Sequence, residues 1–94
     1  MIQSFKDADT KGLFETGFSR RWTGIEAVAR RKLDQIDTSI SLSDLRIPPG
    51  NRLEQLKGDR AGQHRIRVRV NKQYRICFVW KADGAHDVEI ADYH

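Results

Sequence analysis

Apolar and polar residues alternate with two different periods along this chain. Over residues 25–36 the apolar positions recur every three or four residues, which is typical of an amphipathic helix. Those positions are Ile25, Val28, Ala29, Leu33 and Ile36. In residues 64–70 and 74–80, apolar side chains instead occupy every second position, as in strands with one buried face. Helices followed by strands predict an α+β fold.

Signals at helix ends locate the two helices. Residues 9–17 begin with an aspartate and end at Gly17, which predicts a short helix with an aspartate cap and a glycine stop. Thr23 and Glu26 match a capping box, in which each side chain satisfies a backbone donor of the other residue. The second helix is therefore expected at about 23–37.

Turn signals divide the rest of the chain into strands. Short strands are predicted over residues 2–5 and 52–56, and turns at 57–62, 71–72 and 83–84 join the later strands. The helices are expected to cover one face of an antiparallel meander and the basic residues to be exposed on the other. The side chains expected on the strand face toward the core are His64, Ile66, Val68, Val70, Tyr74, Ile76, Phe78, Trp80, Val88 and Ile90.

Composition narrows the class of protein. The 94 residues suffice for one domain, 1–94, and contain no apolar run of the roughly 18 residues that a membrane helix requires. The N-terminus lacks the features of an export signal, so we expect a cytoplasmic protein with no membrane partner. The single cysteine, Cys77, is expected to be a small buried side chain. With no metal-ligand spacing or phosphate-binding fingerprint, we expect neither a metal nor a cofactor.

Positive charge is concentrated in the second half of the chain. The net charge is +4, but residues 46–81 alone carry ten Lys and Arg against two acidic residues, which is +8. A basic stripe of this density indicates contact with nucleic acid or an acidic protein, and a solvated strand face is the alternative.

Candidate chemistry follows from the residues around this stripe. Cleavage of a phosphodiester by the adjacent ribose hydroxyl needs a base, an acid and cations near the developing negative charge. Lys57 and Arg75 could neutralise a phosphate, although each could equally be a solvated or ion-paired cation. Asp92, Tyr93 and His94 end the chain with groups that can move or position protons, and the alternative for His94 is a terminal residue without function.

The sequence resembles the HigB toxins of the RelE/ParE superfamily. The likeness rests on the Leu-Lys-Gly-Asp-Arg-Ala-Gly motif at 56–62, on Tyr74-Arg75 and on the terminal triplet 92–94, and it extends to the opening residues 1–5. The resemblance implies a small RelE-like domain with N-terminal helices packed on a curved antiparallel sheet. It also implies a toxin of a type II toxin-antitoxin system, acting as a ribosome-dependent mRNA endoribonuclease that inhibits translation and growth.

The resemblance assigns roles to individual residues. Lys57 and Arg75 would stabilise the scissile phosphate, Asp92 and His94 would move protons, and Tyr93 would orient the RNA during metal-independent attack by the ribose 2′ hydroxyl. Some members carry a histidine three positions before the loop lysine, where this chain has Glu54; the resemblance then implies no second imidazole and either weaker or ribosome-assisted chemistry. The basic residues expected to contact RNA are Arg60, Arg65, Arg67, Arg69 and Lys72.

The resemblance also implies partners. These are a HigA-like helix-turn-helix antitoxin, the ribosome and mRNA, with operator DNA contacted only indirectly through the antitoxin. Two alternatives remain at this point: a ParE-like toxin that inhibits a DNA topoisomerase without catalysis of its own, and a basic RNA- or protein-binding module with no toxicity.

Overall fold

A computed structural model describes residues 1–58, 62–68 and 73–92 of the chain. Its helices and strands, in chain order, are α1 (Ala8–Thr16), α2 (Glu26–Thr38), 3₁₀ turns at Leu42–Arg46 and Pro49–Asn51, β1 (Glu54–Gln55), β2 (Gln63–Arg67), β3 (Tyr74–Lys81) and β4 (Gly84–Asp92). Within these residues the strands form one antiparallel sheet in the order β1-β2-β3-β4. The predicted α+β meander is therefore confirmed.

Helix α1 begins two residues earlier than the sequence signal suggested. Its cap is Asp7 rather than Asp9, because the Asp7 carboxylate accepts a hydrogen bond from the Thr10 amide at 2.7 Å. The predicted end at Gly17 is confirmed: this residue has φ 78°, and its N–H donates to the Leu13 carbonyl at 2.8 Å.

Helix α2 begins at Glu26, and the predicted capping box at its start is wrong. The Thr23 hydroxyl donates to the carbonyl of Arg20 at 2.9 Å, within the preceding turn. The Glu26 carboxylate instead accepts from the N–H of Gly24 at 2.6 Å. The turn before the helix therefore uses both side chains, and the N-cap residue Ile25 makes no capping hydrogen bond with its side chain.

The core lies between the helices and one face of the sheet. Ile66, Ile76 and Ile90 are directly opposite one another on β2, β3 and β4, and their side chains are buried. Leu33 and Ile36 of α2 belong to the same buried cluster. The predicted inward positions are thus confirmed at most strand sites, with Tyr74 and Trp80 partly buried against the cluster; Val70 lies outside the described residues.

The predicted N-terminal strand pairs with the outer edge of β4 through two parallel bridges. Ile2 is opposite Ala85, and Phe5 is opposite Val88. At the other edge, β1 is shorter than the expected 52–56, because Arg52 takes a left-handed backbone conformation with φ 51°. The predicted turn at 71–72 lies outside the described residues. None of the helices in the described ranges is long and apolar enough to cross a membrane.

Candidate functional site

Two arginines on neighbouring strands form the centre of the candidate site. Arg67 on β2 and Arg75 on β3 are direct cross-strand partners. Side chains alternate between the two faces of a strand, so this pair lies on the face opposite the core residues Ile66 and Ile76. Like charges directly opposite each other are destabilising in a sheet. An anionic ligand at this position would relieve their repulsion.

Arg75 is buried, whereas the sequence pattern predicted an exposed arginine. Only 7% of its surface is accessible, and its Nη1 donates to the Tyr74 carbonyl at 3.1 Å. Its strand, β3, lies between β2 and β4, so it is flanked on both sides rather than at a sheet edge. Cys77 on the same face is also buried, as predicted. Arg75 therefore places its charge in the floor of the sheet rather than in solvent.

Asp92 lies at the same end of the sheet as the arginine pair. It is directly opposite Tyr74, next to the Arg75–Ala91 pair. By strand alternation, Asp92 shares its face with Ile90 rather than with Arg75. Its exposed carboxylate accepts a hydrogen bond from the Gln73 side-chain amide at 3.4 Å.

Lys57 lies toward the other end of the sheet. It follows Leu56, whose N–H donates to the Gln63 carbonyl at 2.9 Å near the start of β2, whereas Arg67 ends that strand. Four residues of β2 correspond to roughly 13 Å along the strand direction. The Lys57 side chain is exposed and makes no ion pair with any residue in the described ranges.

Glu54 and Arg65 form an ion pair across β1 and β2. They are direct cross-strand partners, and the Arg65 Nη2 donates to a Glu54 carboxylate oxygen at 2.9 Å. The residue that stands in place of a family histidine thus holds one of the predicted RNA-binding arginines. His64 does not replace that histidine, because it points to the other face, where its ring stacks on Phe78. Burial lowers the pKa of His64 below its usual range.

Arg52 borders the site, and sequence reasoning missed it. The predicted strand over 52–56 concealed its special backbone conformation, although the preceding Pro48-Pro49-Gly50 segment signals a turn. Its N–H donates to the Pro49 carbonyl at 3.1 Å, and its side chain lines a surface cleft together with Arg67.

The residue before Arg52 anchors this turn to α2. Asn51 is fully buried, and its side-chain amide donates to Gln35 Oε1 at 3.1 Å and to the Leu45 carbonyl at 3.1 Å. Its side-chain oxygen accepts a hydrogen bond from the Lys32 ammonium. Burial, and secondarily repulsion by Arg31, lowers the pKa of Lys32. This buried polar network therefore holds the turn and fixes the position of the Arg52 backbone.

Half of the predicted site residues lie in the described part of the chain. The structure brings Arg67 and Arg75 together on one face at one end of the sheet, with Asp92 at the same end on the opposite face. It locates Lys57 toward the other end and pairs Arg65 with Glu54. The other predicted site residues lie outside the described ranges: Arg60, Arg69, Lys72, Tyr93 and His94.

Comparison with known proteins identifies the class to which this fold and basic sheet belong. A family model described as RelE-like toxin of type II toxin-antitoxin system HigB matches residues 3–94. The chain is 43% identical over 86 residues to Toxin HigB-1 of Vibrio cholerae serotype O1, covering 89% of this chain and 87% of that protein. It is 36% identical over 102 residues to Endoribonuclease HigB of Proteus vulgaris, covering 100% of both chains.

These matches extend over almost the whole chain, and they define a RelE-like toxin. The chain belongs to the HigB-like family of type II toxin-antitoxin systems. The family resemblance inferred from the sequence motifs is confirmed. Membership in a toxin-antitoxin family implies that the chain has an antitoxin partner.

Proposed function

We propose that this chain is a ribosome-dependent endoribonuclease that cleaves mRNA in the cytoplasm and thereby inhibits translation and growth. The observation that carries the proposal is the pairing of Arg67 with Arg75 at the strand end where Asp92 leads into the last two residues. The printed name of the Proteus vulgaris relative, Endoribonuclease HigB, supports the reaction class.

The proposed reaction is an internal transfer within the RNA. The ribose 2′ oxygen attacks the adjacent phosphorus, the bond from phosphorus to the 5′ oxygen breaks, and the products are a 2′,3′-cyclic phosphate and a free 5′ hydroxyl. One group takes the proton from the 2′ hydroxyl, and another gives a proton to the leaving 5′ oxygen. We assign these two transfers jointly to Asp92 and His94, with Tyr93 orienting the RNA.

Cations compensate the negative charge that develops on the phosphate. Arg75 is suited to this role because its nearly buried guanidinium is held in place and acts in a medium less polar than water. Arg67, its cross-strand partner, adds a second positive charge on the same face. Lys57 is proposed to neutralise a phosphate of the bound RNA from its exposed position.

Dependence on the ribosome is supported by what occupies position 54. Glu54 is engaged with Arg65 at 2.9 Å and cannot supply the imidazole that some family members carry there. The chain thus relies on Asp92 and His94 for proton transfer, and the ribosome would position the mRNA against them. A HigA-like helix-turn-helix antitoxin is the proposed inhibitor, with operator DNA contacted only through that antitoxin.

Substitution of the terminal histidine tests the proposed reaction. The wild-type chain and a His94→Ala variant are induced in bacterial cells, and new 5′ ends are mapped on ribosome-bound mRNA. We expect new ends and growth arrest with the wild type, and a reduction of cleavage by a factor of at least about 100 in the variant because proton transfer is lost.

A second histidine provides the matched control. His86 forms a hydrogen bond with the Asp83 carboxylate at 2.6 Å on the β3–β4 hairpin, away from the arginine pair, so a His86→Ala variant should cleave like the wild type. Wild-type cleavage by a folded His94→Ala protein would count against the mechanism. Gyrase inhibition without new mRNA ends would favour a ParE-like toxin instead.

A further inference from the structure

A surface cleft lies beside the arginine pair, where the chain enters the sheet. It has a volume of about 360 Å³ and is lined by Pro49, Gly50, Arg52 and Arg67. The 3₁₀ turn Pro49–Asn51 forms one wall, and the end of β2 forms the other. Arg67 thus belongs both to this cleft and to the cross-strand pair with Arg75.

A third arginine, Arg52, adjoins that pair through the cleft. Arg52 precedes β1 by two residues and lies outside the strand pairing, at the end of the 3₁₀ turn. It shares the cleft with Arg67, and Arg67 is the cross-strand partner of Arg75. These three residues, Arg52, Arg67 and Arg75, form the arginine row.

The two arginines of the cleft have no anionic partner in the described part of the chain. Neither Arg52 nor Arg67 forms an ion pair there, and the buried Nε of Arg67 makes no hydrogen bond to those residues. The nearest acidic residue along the chain, Glu54, is committed to Arg65. The charge of the cleft is therefore left for a ligand to neutralise.

Arginine is also an unfavourable residue type for the backbone conformation at position 52. Its φ of 51° lies in the left-handed region, which glycine and asparagine adopt at lower cost. The buried Asn51 network holds the turn in this conformation. A strained position that carries a guanidinium toward a basic cleft is more typical of a binding site than of a structural turn.

We infer that Arg52 and Arg67 bind a second phosphate of the RNA strand whose scissile phosphate lies at Arg75. The inference rests on the proposed function, because it assumes that the bound anion is RNA. A guanidinium donates two parallel hydrogen bonds to phosphate oxygens, which a cleft walled by two arginines can provide. Arg52 is then an RNA-binding residue that fixes the direction of the strand across the sheet.

An uncleavable RNA tests this subsite apart from catalysis. The probe is a fluorescent single-stranded RNA of 12 nucleotides with 2′-O-methyl groups throughout, titrated with the full-length chain while anisotropy is recorded. In an Arg52→Asn variant, which retains a residue tolerant of the left-handed conformation, we expect the affinity to fall roughly tenfold because a charged contact is lost. Arg52→Lys should lose less, since the charge remains while the planar fork is lost.

The matched control removes the same charge elsewhere. Arg31 is exposed on α2, which packs against the other face of the sheet, so Arg31→Gln should change the affinity less than twofold. Equal losses in Arg52→Asn and Arg31→Gln, unchanged affinity in Arg52→Asn, or no binding by the wild type would overturn the subsite. The probe cannot be cleaved, so this titration is independent of catalysis. If the wild type fails to cleave mRNA, the proposed function is contradicted, but the titration still reports whether the cleft binds an anion.

Discussion

Arginines at equivalent positions of an alternating strand differ in the contacts that their side chains make. Arg65 and Arg67 are two residues apart on β2 and share a face, yet Arg65 is paired with Glu54 whereas Arg67 faces Arg75 and a cleft. Surface ion pairs contribute little to stability, typically less than about 1 kcal/mol. The pair between Glu54 and Arg65 therefore adds little to stability, and its main consequence is that the charge of Arg65 is compensated within the sheet.

His64 gives a test at the scale of a single residue. Burial lowers its pKa in the folded chain, while the unfolded chain keeps a value of about 6.5. Above that pH both states are neutral at this residue, and as the pH falls below it the unfolded state takes up a proton that the folded state does not. Stability should therefore decline from pH 7.5 toward 5.5, and His64→Phe, which preserves stacking on Phe78, should lose part of that decline.

The measurement is the melting temperature of both proteins at several pH values. The wild type should show a larger drop between pH 7.5 and 5.5 than the variant. Equal drops in the two proteins would mean that His64 is protonated equally in the folded and unfolded states, against the burial seen here.

At the scale of elements, periodicity predicted more than local end signals did. The three- and four-residue spacing along α2 and the alternation along β3 fix which side faces the core, because burial of apolar surface dominates folding. The predicted start of α2 at Thr23 was wrong, because the side chains of Thr23 and Glu26 make hydrogen bonds within the preceding turn instead of a capping box. The burial of Arg75 was not predicted although the predicted meander already placed its strand between two others, because alternation only assigns Arg75 to the face without the helices, which was expected to be exposed.

Glycine at position 84 is required by the packing at the edge of β4 rather than by a turn. The sequence suggested a turn glycine, but Gly84 begins β4 with φ 126°, beside the N-terminal segment that bridges the edge of that strand. A Cβ added here would overlap the backbone carbonyl of Met1. Gly84→Ala should displace the N-terminal segment and lower the free energy of unfolding by about 2–3 kcal/mol.

Gly12 is the control for the alanine substitution. It lies within α1, and a Cβ there would meet no other atom. Gly12→Ala should raise the free energy of unfolding by about 1 kcal/mol, because alanine favours a helix more than glycine does. Urea unfolding of both variants gives the two values, and a Gly84→Ala protein as stable as the wild type would show that the N-terminal bridges to β4 contribute little.

At the scale of the whole molecule, charge and apolar surface are separated between the two faces of the sheet. The helices and the apolar strand positions form the core on one face, and the other carries Arg65, Arg67 and Arg75. This separation leaves a basic surface from which an RNA strand could displace counterions. It also explains why the overall charge of +4 understates the positive charge near the site.

The salt dependence of RNA binding measures how many of these cations meet phosphates. Lys57, together with the row formed by Arg52, Arg67 and Arg75, provides four contacts, and for single-stranded RNA each contact contributes about −0.7 to the slope of log affinity against log salt. We expect a slope of about −3 for the wild type and one shallower by about 0.7 for Arg52→Asn. Titration of the 2′-O-methyl RNA between 50 and 300 mM KCl, roughly the range over which such slopes are measured, gives both numbers. A slope of about −7 would mean that all ten cations of residues 46–81 contact RNA, and a slope near −1 would mean that the arginine row does not.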